Sequence, residues 1–199
     1  MSDVEPAVTV LVVGTGENRG PIEAEIGSSP RLLVVGAVGP EHAAATVEGR
    51  APDVVVVVAP LDGGVADVAA GVASSAPACR VLVVGTSGDL AADVGDPETL
   101  IDSWVGGVVR RDELPGGVAD AVEAIAAGEA FLDAPLAAAV LGRHRDGRSR
   151  IELAPTEEEV LGRLAGGESA DTIADEYAVS PRLVRLHASG PLVRLHPRP

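Results

Sequence analysis

Lysine and glutamine are absent from this chain of 199 residues, and Trp104, Phe131, Tyr177 and Cys79 are single copies of their types. A lone cysteine excludes an intramolecular disulfide framework and a multi-cysteine metal site. Cys79 stands just before the apolar run at 81–84 and is expected as a small buried hydrophobe. So few aromatics leave the core to Val, Ala, Leu and Ile. No stretch approaches the ~20 apolar residues of a membrane span. The opening residues Met-Ser-Asp-Val-Glu-Pro also lack a secretory apolar core. The reading is a cytoplasmic protein with no membrane partner. Positive charge is scarce as well: 15 basic residues, all arginine, stand against 30 acidic ones, for a formal net charge of −15. That balance opposes general attraction to nucleic acid, so any DNA contact needs a local basic patch.

What is present is a repeated alternation. Short Val- and Leu-rich runs at 8–14, 31–36, 53–59, 81–85 and 107–110 read as strands. Their near-continuous apolar character is that of parallel strands covered on both faces. Between them, 22–26, 41–49, 65–74, 97–104 and 115–128 read as helices. Five strand–helix units imply an α/β fold with a doubly wound, five-stranded parallel sheet and right-handed crossovers. An Ala-rich helix at 132–141 and a polar, exposed linker at 142–152 follow. The final segment is too short to bury much core alone and reads as three or four short helices. The expected division is 1–132, a linker helix and basic linker at 133–152, and 153–199. The pentapeptide Leu-Val-Arg-Leu-His occurs at 183–187 and at 192–196. A single match of that length is far below a structural repeat.

The last segment carries specific residues: Pro155 to Leu161 as Pro-Thr-Glu-Glu-Glu-Val-Leu, Leu164-Ala-Gly-Gly167, Ser169 ahead of Ile173-Ala174, and Val179-Ser180-Pro181-Arg182 leading to Val184 and His187. This pattern resembles the LuxR-type helix-turn-helix. Ser169 and Ser180 suit helix N-caps, and Pro155 and Pro181 suit first helical positions. Val160, Leu161, Leu164, Ile173, Ala174, Val179, Val184 and Leu186 are expected to pack the helices. Ala-Ala-Gly-Glu-Ala-Phe-Leu at 126–132 resembles the end of the receiver in NarL/FixJ-type response regulators, which extends the resemblance over nearly the whole chain. It implies a CheY-like receiver followed by a small all-α DNA-binding domain. In such a motif the second helix enters the major groove. The resemblance places DNA contacts at Ser180, Arg182, Leu183, Arg185, His187 and Ser189, with Leu183 where a small polar residue is usual.

The receiver half departs from its family systematically. The phosphoacceptor aspartate would fall at Val58, the metal-holding acidic pair at Gly14 and Thr15, and the Thr/Ser after the fourth strand at Gly85, or at Thr86 with a one-residue slip. The lysine of the fifth strand falls at Arg111. Phosphoryl transfer needs a carboxylate nucleophile and a metal ion, and these positions supply neither. Asp62 reads as a loop or cap residue. The expectation is a degenerate, phosphorylation-deficient receiver.

Other patterns carry less. Gly14-Thr-Gly-Glu-Asn-Arg-Gly20 follows a strand, yet no acidic residue ends the second strand as placed at 31–36. The preferred reading is a flexible turn. No histidine, cysteine or carboxylate set has ligand spacing, and no catalytic arrangement is seen, so no cofactor, metal or enzymatic activity is expected. Asp171, Asp175 and Glu176 make the first helix of the pair acidic, against phosphate contact. Gly190-Pro191 predicts a helix end near Ser189, which shifts homodimerisation to the receiver half. The leading functional expectation is a phosphorylation-independent, DNA-binding transcriptional regulator. The alternatives are a protein-interaction module that has lost DNA binding, and a small ligand in the emptied receiver pocket.

Overall fold

The computed structural model describes residues 7–61, 64–86, 97–103, 105–111, 117–147 and 152–195. Five valine-rich segments form parallel strands: β1 (Val8–Val13), β2 (Leu32–Val38), β3 (Val54–Val58), β4 (Arg80–Gly85) and β5 (Val105–Arg110). The sheet order is β2-β1-β3-β4-β5, the doubly wound arrangement in which the strand order reverses beside the first strand. Alternate side chains of each strand serve opposite faces. Leu11, Val13, Val55, Val57, Val81 and Val83 enter one core layer. Val10, Val12, Val54, Val56, Leu82 and Val84 enter the other. All five residues of β3 are buried, which explains a run of five valines with no polar alternation.

Helices cover both faces. On one side lie α1 (Gly16–Gly27) and α5 (Gly117–Ala126), anchored by Ile22, Ile26, Val118, Val122 and Ile125. On the other lie α2 (Ala43–Arg50), α3 (Val65–Ser75) and α4 (Pro97–Asp102), anchored by Val47, Val65, Val72, Leu100 and Ile101. Cys79 is buried, and burial pushes its thiol up to about 12.

Three elements extend beyond their sequence-predicted bounds, each for a tertiary reason. The segment expected as a flexible turn at 14–20 is helical from Gly16, with Pro21 inside α1. The helix expected at 132–141 is α6 (Ala134–Arg145), started by Asp133, whose Oδ1 accepts the Leu136 N–H at 3.0 Å. The beginning of the predicted linker is therefore helix. Arg143 there is only 13% exposed and bridges Asp102 (2.7 Å) and Glu98 of α4. After it come α7 (Pro155–Ala165), α8 (Ala170–Tyr177) and α9 (Pro181–Leu195).

The third extension corrects the break expected at Gly190-Pro191, because α9 runs through it. Part of what disfavours helix before a proline is the clash of its ring with the preceding Cβ, and Gly190 has none. A Cβ there would also stand 2.5 Å from Glu157 Oε1, so glycine admits that carboxylate. Burial of Ala188 and Leu192 and an ion pair from Arg194 to Glu157 (2.5 Å) hold the far end down. Among the described residues no helix is long and apolar enough to cross a membrane.

A single core joins the two halves. Leu136, Ala137 and Val140 of α6 continue from the sheet layer into Val160, Leu161, Leu164, Ile173, Ala174, Val184 and Ala188. Beside it, Phe131 lies along β5: its carbonyl accepts the Val108 N–H at 2.8 Å and its N–H donates to Gly106 at 3.1 Å. Gly107 permits this approach, since a Cβ there would sit 2.7 Å from Phe131 Cβ. Replacing Gly107 by alanine forces the segment outward and is expected to cost about 1–3 kcal/mol, read as a lowered midpoint in urea denaturation of the full chain.

Candidate functional site

Two places bear on function: the carboxyl ends of the strands, and the helix pair α8–α9. At the strand ends Gly14 and Val58 are neighbours; a Cβ on Gly14 would lie 3.2 Å from Val58 Cβ. Thr15 precedes α1 without a side-chain capping bond. Gly85 pairs in register with Arg110 at the last rung of β4–β5, and Thr86 beyond it is exposed. Arg111 turns to Glu25 of α1 at 3.5 Å. Asp62 lies outside the described residues. Gly14, Thr15, Val58 and Gly85 thus bring no carboxylate to this corner.

The corner is filled by Asn18, the one asparagine of the chain. Its Nδ2 donates to the Pro60 carbonyl at 2.9 Å and the Val58 carbonyl at 3.3 Å. Its Oδ1 is buried with no partner and lies over Gly14, 2.9 Å from where a Cβ would stand. Asn18 ties α1 to the end of β3, which helps the helix begin as early as Gly16. Sequence reading passed over it; the signal was a unique amide just after a Gly-Thr-Gly turn.

The helix pair is built by local capping as the residues suggested. Ser169 Oγ accepts the Thr172 N–H at 3.1 Å, and Ser180 Oγ accepts the Leu183 N–H at 3.3 Å. Val179 and Leu186, expected in the packing, are instead 38% and 37% exposed. Val179 sits in the turn, and Leu186 lies opposite the buried Val184–Ala188 face of α9. Leu183 is exposed and His187 half-buried.

Of the residues expected to meet DNA, Ser189 is displaced inward: it is buried, and its Oγ donates to the Leu186 carbonyl at 2.8 Å. Seven residues beyond Arg182, Ser189 keeps to the same side of α9, the side that Arg182 and Arg185 turn toward Glu129. Arg182 and Arg185 converge on Glu129, a residue not singled out in the sequence. Arg185 Nε lies 2.7 Å from Glu129 Oε2 and Arg182 Nε 3.3 Å from Oε1. Glu129 is 6% exposed, Arg185 21% and Arg182 63%. The Arg185 guanidinium also stacks over the Phe131 ring at 5.0 Å. In this conformation the arginines of α9 face the receiver half.

Arg194 serves structure. It pairs with Glu157, whose Oε2 also accepts the Ala154 N–H at 2.8 Å. On α8, Asp171 and Asp175 are exposed. Glu176 pairs with Arg163 at 2.5 Å, and Arg163 lies over the Tyr177 ring at 5.3 Å. Among the described residues no group of three or more His, Cys, Asp or Glu is placed to hold a metal ion.

The Arg194 guanidinium holds the Glu157 carboxyl below its ordinary range, against the opposing effect of burial. A lowered carboxylate pKa stabilises the fold above the unfolded value, and that contribution disappears as pH falls through the folded value. Glu157→Gln is therefore expected to lower stability by about 1 kcal/mol at pH 7. The parent and the variant should converge in acid, as followed by urea midpoints between neutral and acid pH.

No protein-family model matches the chain, and no curated protein matches it significantly. Solved structures do resemble it. A LuxR-family two-component response regulator from Aurantimonas aligns at a TM-score of 0.55 and 19% identity, over 70% of this chain and 99% of that one. The response regulator ChrA of a heme-sensing two-component system aligns at 0.52 and 20%, over 92% of this chain and 87% of that one. The RcsB response regulator of Salmonella typhimurium, in a structure concerned with DNA interaction, aligns at 0.51 and 16%, over 96% and 93%. The alignments with ChrA and RcsB span both halves, so the chain has the fold of NarL/LuxR-type response regulators: a receiver-like α/β domain joined to a helix-turn-helix.

Proposed function

We propose that this protein is a DNA-binding transcriptional regulator whose receiver half works without phosphorylation. The observation that carries the reading is α9, a Ser180-capped recognition helix of a helix-turn-helix with Arg182 and Arg185 in its first two turns. Ser180, Arg182, Leu183 and His187 form the contact set we retain from the sequence, with Arg185 joining it once released from Glu129. Ser189 leaves the set. Gly14 and Val58, with Asn18 packed between them and the end of β3, support a receiver that takes no phosphoryl group. The partner is DNA, bound by a homodimer. With α9 unbroken, exposed Val193 at its end is available for pairing alongside the receiver half.

The Glu129 pairing supports a further element: DNA binding requires α9 to exchange a carboxylate for phosphate. A salt titration of fluorescence anisotropy on genomic fragments tests the proposal. Affinity should fall with a log–log slope of about −0.9 per neutralised phosphate. Arg182→Ala should weaken binding, and Glu129→Gln should strengthen it by freeing the arginines. Absent or salt-insensitive binding across the fragments overturns the proposal.

A second reading is favoured by a specific surface. Val179, Leu183, Leu186 and Val193 are all exposed on α9 and the turn before it, and Asp171 and Asp175 of α8 are exposed as well. Such a surface suits an interaction module that acts on a protein. Stoichiometric capture of a partner, lost on Leu183→Glu, together with no DNA binding, selects this reading.

A further inference from the structure

With the second strand ending at 36, no acidic residue closes it opposite the Gly-rich segment after β1. The structure moves that boundary. β2 continues to Val38, and Gly39 leads into a 3-10 turn, Pro40–His42. Glu41 thus stands three residues beyond the strand, with its carboxylate folded back over Gly39 and paired to His42 Nδ1 at 2.9 Å. Asn18 closes the strand ends on the β3 side, as described above. The open space lies on the β2 side instead, as a cleft of about 920 Å³.

The lining is chemically divided. Arg19 stands on the α1 side, and its side chain makes no hydrogen bond or ion pair among the described residues; its field acts on Glu41. Glu41 and Asp67 stand on the α2 and α3 side. Between them the wall is small and apolar, formed by Ala37, Ala44 and Val68 among others. A cleft of this size is in the range of small-molecule sites, and in open α/β sheets ligands sit outside the carboxyl ends of the strands. A ligand that satisfies the lining is anionic at one end, carries hydroxyl or amino donors at the other, and has a flat apolar part between.

We propose that this cleft binds a nucleoside phosphate. Arg19 takes the phosphate, helped by the uncapped amides at the start of α1. Glu41 accepts from the ribose diol, and the base lies along the wall between α2 and α3, with Asp67 as an acceptor for an amino group. The site belongs to the receiver half and holds whether or not α9 binds DNA.

Isothermal titration of the full-length protein with ADP, adenosine, pyrophosphate and 2′,3′-dideoxy-ADP tests the assignment. ADP should bind one per chain, more tightly than adenosine or pyrophosphate alone. Arg19→Ala should weaken ADP by about ten- to a hundred-fold and leave adenosine unchanged. Glu41→Gln should weaken ADP and adenosine but not pyrophosphate. The dideoxy compound should bind the unaltered protein about tenfold more weakly than ADP, a comparison that needs no variant. No heat with ADP, equal binding of ADP and its dideoxy form, pyrophosphate binding as tightly as ADP, or an ADP affinity indifferent to both substitutions each overturn the proposal.

Discussion

Removing a carboxylate from water costs several kcal/mol unless charged partners replace the lost hydration. Glu129, 6% exposed, meets that requirement with two arginines that belong to the other half of the molecule. The consequence is mutual. The receiver half presents a buried acid that needs Arg185, and α9 presents an arginine whose guanidinium is already stacked on Phe131. Phe131 is itself held along β5, where Gly107 leaves room for its approach. The placement of α9 therefore depends on a chain of contacts running from the sheet edge through one carboxylate.

The strand ends obey a different constraint. The corner between β1 and β3, bounded by Gly14 and Val58, has to be filled and its carbonyls satisfied. Here a neutral amide does so, through two carbonyls that no metal ion is needed to organise. On the helical side, charge is spent locally: Arg163 and Arg194 lock α7 to α8 and α9, and neither is left for a remote partner.

The strands were legible in the sequence because burial on both faces demands uninterrupted Val and Leu; their ends were misplaced by no more than two residues, as at β2 and β5. The serine caps and the helix-turn-helix were legible for a similar reason, since capping is local chemistry. Helix extents were not. Local propensity reads Gly16, Pro21, Gly190 and Pro191 as breaks, whereas Asn18 at one site and Glu157 with Arg194 at the other hold helix through them. Arg143 read as linker because its partners on α4 are distant in sequence. Glu129 was illegible for the same cause: nothing in Gly-Glu-Ala-Phe announces a buried acid until α9 is folded onto it. The direction in which Arg182 and Arg185 point follows from that one unseen residue.

The central claim is that Glu129 couples the two halves through Arg185, and a double-mutant cycle measures it most directly. Urea unfolding of the parent, Glu129→Gln, Arg185→Gln and the double variant isolates the pairwise energy. The account predicts a favourable coupling of about 1–3 kcal/mol, with the double variant less destabilised than the sum of the single ones. Strict additivity would mean that the two side chains act independently and that the halves are not held together in this way.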